Sequence, residues 1–366
     1  MSETNQNNEN LQIQYPFQNP ELTIEERVEN LLFLLTIQEK ISFLYDLSPG
    51  VPRLGIRKYY HGNECLHGVV RPGRATVFPQ AIAFAATWDP ELIFQVATAI
   101  SDEARAKHHA VENYPGTYNG LLTFWSPNVN VAVDPRWGRT PETYGEDPFL
   151  TGRIGVQFVK GLQGDHPRYL KVISTPKHFV ANNQERMRYR FKPKISEKWL
   201  RDYFLPGFQP LIEEGHAASI MGAYNAVFDV PCCHSKWLLT DVLRNEWHFK
   251  GYVVTDCGAI AYALPPMHSY VKTPTQAAAS SINAGIDLEC GSIFRRGYLE
   301  KAIAKHLVLE ERISEAAGNI LRARFRLGMF DPKELNHYAQ IPFSIVGSEE
   351  HSELALLTAE ESIVLL

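Results

Sequence analysis

The chain is poor in the features that mark several large protein classes. Only 5 cysteines stand among 366 residues, too few for a disulfide scaffold. No C-x-x-C pair occurs, since Cys232 and Cys233 are adjacent, and this argues against a cysteine-built zinc site. No stretch approaches the roughly 18 apolar residues of a membrane-spanning helix. Neither sign of charge dominates: 36 Lys and Arg oppose 41 Asp and Glu, for a net charge of −5. That balance speaks against non-specific binding to nucleic acid or an anionic membrane. The first residues, MSETNQNNEN, lack the basic and apolar regions of a secretory signal. A cytoplasmic location is the expectation, with periplasmic or secreted locations left open. No repeat of fixed period appears, and no G-x-G-x-x-G or Walker loop follows any β-rich run, which weakens a nucleotide-binding open sheet.

What the chain does have is enough apolar sequence, 45% of its residues, to bury a large core. Residues 1–20 are Asn-, Gln- and Glu-rich and read as a disordered polar tail. Beyond them, amphipathic helices alternate with short β-rich runs. Helices are predicted at Pro90–His108 with Asp89 as N-cap, Pro148–Leu162, Ser196–Glu214, Ser235–Trp247, Thr275–Asn283 and Glu310–Leu327. Strands are predicted near Leu121–Trp125, Leu170–Thr175, Ala218–Met221, Gly251–Thr255 and Gly285–Leu288. Weaker ones fall near Tyr59–His61, Ala81–Ala83 and Val129–Val133. About eight such units imply an α/β fold, a (β/α)8 TIM-type barrel. Leu354 to Leu366 reads as a helix running into a strand-like apolar end.

The apolar runs end in polar groups. Lys177 and His178 follow one, Tyr224 and Asn225 another, Asp256 and Cys257 a third, and Asp287, Glu289 and Cys290 close a fourth. In a barrel these strand ends face one cavity. Asp256 is the sharpest candidate, because a carboxylate held at a strand end can act as nucleophile or base. An Asx turn or helix cap competes with that reading. For Lys177 and His178 the competing role is a hydrogen-bonded core pair. Residues 134–147 are dense in charge and aromatics, and a loop tied by its own ion pairs is the preferred reading for most of them. Trp125, Trp137 and Tyr224 could supply an aromatic platform, with core packing the preferred role for any one of them.

The motifs resemble those of glycoside hydrolase family 3, in its N-terminal (β/α)8 barrel. The stretches that carry the resemblance are His61-Gly-Asn-Glu-Cys-Leu-His-Gly68, Asp134-Pro-Arg-Trp-Gly-Arg-Thr-Pro-Glu-Thr-Tyr-Gly-Glu-Asp147, Lys177-His-Phe-Val-Ala-Asn-Asn183, Met221-Gly-Ala-Tyr-Asn225 and Val253-Val-Thr-Asp-Cys-Gly258. They occur in the family's order over about residues 30–366. The resemblance implies Asp256 as catalytic nucleophile. It implies Glu64, Arg139, Lys177, His178, Arg188, Met221 and Tyr224 as residues that bind or line the site of the terminal sugar. Glu64, where glucosidases of the family carry Asp, and Cys257, where they carry Trp, resemble the β-xylosidase branch. Glu reaches one methylene further, into space that the C6 hydroxymethyl group of a hexose would need. The same branch implies that Cys257 and Cys290 are neighbours, bridged or, in the cytosol, as free thiols.

The implied activity is retaining hydrolysis of terminal non-reducing β-glycosidic bonds in oligosaccharides or aryl glycosides. β-Xylosidase action is the leading expectation, with β-glucosidase or a sugar-binding pseudoenzyme as alternatives. No cofactor and no metal is implied, nor a nucleic-acid or membrane partner. The resemblance further implies a barrel over residues 21–335, and a linker with the start of a truncated second domain over 336–366. The family's second, α/β-sandwich domain, which supplies the acid/base Glu in this branch, is expected to be absent or separately encoded. Glu142, Glu185 and Glu289 are the carboxylates available within the barrel, with nothing in the motifs to choose among them.

Overall fold

Helix starts fall where the sequence places its caps. In the computed structural model, which describes residues 14–111 and 122–365, Asp89 accepts from the amides of Glu91 and Leu92 at 2.9 and 3.1 Å and opens the helix Pro90–Val111. Asp147 accepts from Leu150 at 2.7 Å and opens Pro148–Gln163. Thr273 and Gln276 cap each other at the start of Pro274–Ala284. The helix Glu310–Arg326 turns Ile313, Ala316, Ala317, Ile320 and Leu321 into the core, the stripe its 3.6-residue period predicts.

These helices surround a closed wall. Strands β1 (Leu47–Ser48) and β2 (Tyr59–Tyr60) pair antiparallel. The segment after β2 then joins β3 (Thr123–Phe124) through the Trp125 amide on the Asn63 carbonyl, at 2.9 Å. Strand β3 runs parallel to β4 (Ile173–Ser174). The extension of β4 at Phe179 bridges β5 (Ser219–Gly222) in parallel. A small hairpin, β6 (Ala226–Val227) with β7 (Val230–Pro231), rises from the end of β5. Strand β8 (Tyr252–Thr255) pairs parallel to β5 and bridges Leu288. Glu289 then bridges Tyr45 beside β1 and closes the ring. The result is a TIM-type barrel whose first pair departs from the all-parallel rule. Each parallel strand is buried on both faces, as the uninterrupted apolar runs require.

Three local expectations are corrected. Ala81–Ala83 is not a strand but the start of a helix, Ala81–Ala86, that buries Phe84 and Ala85; so short an apolar run carries no decisive period. Ser196–Glu214 is not one helix. It is π-helical over Leu200–Phe204, breaks, and resumes at Gln209–Glu213. Pro206 has no amide to donate, and Gly207 packs so closely that a Cβ would sit 3.1 Å from the Val129 carbonyl. Val129–Val133 forms no ladder of its own, although Asn128 bridges Lys177. The predicted strand at Leu121 begins outside the described residues.

The tail expected over residues 1–20 is anchored from Gln14 onward. Phe17 is buried, its amide donates to Asn30 Oδ1 at 3.1 Å, and Arg27 Nε donates to its carbonyl at 2.7 Å. Residues 1–13 lie outside the described set. At the other end, Glu349–Glu361 is helical and residues 363–365 form no strand. That helix is tied to the barrel through Glu103, a buried carboxylate that accepts from Thr76, Gly347 and His351. No helix among the described residues is long and apolar enough to cross a membrane.

Candidate active site

The parallel strands deliver their last residues to one end of the barrel. Asp256 directly follows β8, where its amide donates to the Gly222 carbonyl at the end of β5 (2.9 Å). Lys177 and His178 leave β4 joined by a cis peptide, and a second cis peptide follows at Phe179–Val180. Tyr224 leaves β5, and Glu64 follows β2. Of the strand-end residues, Lys177, His178, Tyr224 and Asp256 come together, and Glu64, which the resemblance added, joins them through Lys177.

Charge pairing fixes their positions. The Lys177 ammonium, in a side chain only 4% exposed, donates to both oxygens of Glu64, at 2.7 and 2.8 Å. Arg139 grips Glu142 with Nε and Nη2, at 2.9 and 2.7 Å. Its Nη1 lies 3.3 Å from His178 Nε2, and that same nitrogen is 3.8 Å from Asp256 Oδ2. Arg188 donates to Glu185 at 2.9 Å and to the Tyr189 hydroxyl at 3.1 Å. Its guanidinium lies over the rings of both Tyr189 and Tyr224, about 5 Å from each centroid.

Asp256 is set by a frame of its own. Its Oδ1 accepts from the Cys257 amide at 2.8 Å. The Tyr224 hydroxyl donates to the Cys257 carbonyl at 2.9 Å. Cys257 is bonded to Cys290 across 33 residues. Together these hold the turn after β8 at three points. Met221 is sealed in β5, where its amide and carbonyl bond to Pro176 and Phe179.

Opposing effects act on the nucleophile candidate. Lys177 and Arg139 do favour the ionised form of Asp256, yet burial outweighs them and holds its carboxyl above the ordinary range. Burial also drives the His178 imidazole well below its ordinary value, aided by Arg139, Lys177 and Arg188. Tyr224 is pushed up by burial and by Asp256 beside it.

The other carboxylates near the strand ends are occupied. Glu142 is held by Arg139 and Glu185 by Arg188 and Trp137 Nε1. Glu289 turns away to accept the amides of Ile293 and Phe294 at 2.9 and 2.6 Å, and burial raises it to about 7. Asp287 is structural: wholly buried, it takes Arg244, Arg312, Asn319 and the Val253 amide. The loop 134–147 is bound by its own pairs, Asp134 with Arg136 and Arg139 with Glu142, as its composition suggests. Among the described residues no group of three or more metal-ligating side chains exists.

The structure adds residues that sequence reasoning missed. Asn130 bonds to His178 through backbone and ring. Tyr189 and Tyr262 stack at 4.3 Å beside Tyr224. For Asn130 a signal existed: Asn128 and Asn130 alternate with valines, a strand-end pattern that puts both on one face.

Residues 51–323 match the profile described as "Glycosyl hydrolase family 3 N terminal domain". The chain is 37% identical over 358 residues to a xylan 1,4-beta-xylosidase of Xylanibacter ruminicola, covering 96% of this chain and 41% of that protein. It is 40% identical over 375 residues to the probable beta-D-xylosidase 7 of Arabidopsis thaliana, covering 96% and 48%. The fold superposes on a GH3 exo-beta-xylosidase in complex with a xylobiose aziridine activity-based probe, with a TM-score of 0.89 at 33% identity, covering 96% of this chain and 46% of that one. A β-glucosidase of Erythrobacter marinus follows with a TM-score of 0.83 at 28% identity, covering 97% and 52%. The chain thus spans under half the length of these curated relatives.

Proposed function

Because the chain belongs to glycoside hydrolase family 3, we propose that its barrel binds a terminal β-xylosyl residue and transfers it to Asp256 as the first half of a retaining hydrolysis. The observation that carries the reading is the placement of Asp256 at the end of β8, within 3.8 Å of His178 Nε2 and in the electrostatic reach of Lys177 and Arg139. Asp256 attacks the anomeric carbon. The bond to the leaving oxygen breaks with its electron pair on that oxygen, and water later releases the sugar with net retention. Lys177, Arg139, His178 and Glu64 present donors and acceptors to sugar hydroxyls, and Arg188 with Tyr224 borders the nucleophile.

Retaining chemistry needs a second carboxyl about 5–5.5 Å from the first, to protonate the leaving oxygen. Glu142, Glu185, Glu64 and Glu289 are each committed to other partners, and none is assigned that role. A leaving group that departs without protonation therefore isolates what these residues do. Glu64 supports xylose as the sugar, because it extends a methylene further than Asp into the space beside C5 of a pyranose. The relatives named β-xylosidases support the same choice.

The test is intact-mass spectrometry after incubation with 2-fluoro xylosyl and 2-fluoro glucosyl donors that carry an activated leaving group. A xylosyl adduct mapped to Asp256 is the expected result. A glucosyl adduct alone keeps the nucleophile and overturns the sugar. No adduct on folded protein overturns the transfer and leaves a sugar-binding role.

A further inference from the structure

His178 sits between the nucleophile and Arg139, and the question is which of its ring nitrogens carries hydrogen. The backbone answers it. The His178 amide can only donate, and it lies 2.9 Å from Asn130 Oδ1. The His178 carbonyl can only accept, and it lies 2.9 Å from Asn130 Nδ2. These two bonds fix which end of the Asn130 amide is oxygen, the assignment that is otherwise ambiguous. The ring Nδ1 of His178 is 2.9 Å from that same oxygen, so Nδ1 carries the hydrogen. On the opposite side of the ring, Arg139 Nη1 is a donor without acceptor capacity and lies 3.3 Å from Nε2. Nε2 therefore holds a lone pair. Two independent contacts give one tautomer.

We propose that Asn130 is a positioning residue that locks His178 as the neutral Nδ1–H imidazole, so that Nε2 accepts from Arg139 and offers no proton to Asp256. At 3.8 Å from Asp256 Oδ2, a protonated Nε2 would stand against the attacking carboxylate and hold its electron pair in a hydrogen bond or ion pair. The lone pair leaves that carboxylate free. Around the ring, burial disfavours the imidazolium most, and Arg139, Lys177 and Arg188 add to it, although Glu142, Glu64 and Glu185 pair with those cations; Asp256, 3.8 Å away, acts the other way. The Asn128 Oδ1 atom accepts the Asn130 amide at 3.2 Å and steadies the device from behind. An aspartate in place of Asn130 would reverse it, because a carboxylate at Nδ1 stabilises the imidazolium.

The inference deepens the proposed reaction at Asp256, but its first test does not depend on it. Nitrogen-15 correlation spectra of the imidazoles, with His178 assigned by its absence in His178→Gln, read the tautomer in the native chain. A protonated Nδ1 and a bare Nε2, unchanged from about pH 5 to 8, is expected. A protonated Nε2, or titration within that range, overturns the proposal. The second arm follows 2-fluoro xylosyl labelling of Asn130→Asp against pH, on protein shown to melt cooperatively. Labelling should fall roughly tenfold or more at about pH 6 and recover toward the wild-type rate at about pH 8. A deficit that is the same at every pH marks a merely structural role and overturns the proposal. If the unaltered protein takes no label at all, the transfer reading fails while the spectra still decide the tautomer.

Discussion

Both oxygens of Glu64 lie on one ammonium, that of Lys177, at 2.7 and 2.8 Å. The chelate binds the loop after β2 to the end of β4 and sets how far the carboxylate reaches. Glu64→Asp should draw the carboxylate back by a methylene and admit the hydroxymethyl group of glucose. The ratio of xylosyl to glucosyl labelling rates should fall by about 10-fold or more, the scale of a one-methylene discrimination. Rates from both activated donors on the same preparation check it. An unchanged ratio would remove Glu64 from sugar selection.

Asp256 must be ionised to attack. Burial holds its carboxyl above the ordinary range, so the acidic limb of the labelling rate should fall at a higher pH than for an unperturbed aspartate. Lys177→Met removes a charge that favours the carboxylate and should move that limb further upward. Labelling rates across the acidic range, with the fold followed by circular dichroism, give the limb. A limb that moves down in Lys177→Met would contradict the assigned electrostatics.

Asp256 and Asp287 both stand near strand ends, and the structure gives them opposite tasks. Asp256→Asn should slow labelling by at least ~10³-fold and leave the urea midpoint nearly unchanged. Asp287→Ala removes the buried carboxylate that Arg244 and Arg312 share, leaving Arg244 a backbone carbonyl and Arg312 the exposed Glu315 with two carbonyls, and should cost about 3 kcal/mol in unfolding free energy. Urea titration and labelling on the two variants separate the tasks.

The Cys257–Cys290 bond closes a loop of 33 residues. Its loss should lower stability by roughly 3–4 kcal/mol on the chain-entropy estimate. It should also slow labelling, since the Cys257 amide and carbonyl orient Asp256 and Tyr224. Thermal melts and labelling of Cys257→Ser with Cys290→Ser, beside thiol counting on the native chain, test both effects.

Much of this was legible beforehand because capping and periodicity are local. Asp89, Asp147 and Ser196 open helices by bonds that span two or three residues, and the stripe of Glu310–Arg326 needs only its own period. The strand-end residues around Asp256 were legible because apolar runs stop there. What escaped depends on distant partners. Ala81–Ala86 takes its helical form within the packing of Phe84 on Phe158. Asn130 matters only because residue 178, 48 positions away, turns its backbone toward it. The fate of Glu289 was likewise hidden, since a carboxylate at a strand end can face a cavity or, as here, the amides of the next turn.

Glu103 gathers the Thr76 amide and hydroxyl, the Gly347 amide and the His351 ring on one carboxylate. Thr76 belongs to the stretch that follows Glu64, and Gly347 and His351 belong to the turn and first residues of the helix Glu349–Glu361. Mechanically, Glu103 is a shared pivot. A pull on that helix reaches, through this side chain, the stretch that follows Glu64, and the two can part there only by leaving a buried charge without its donors.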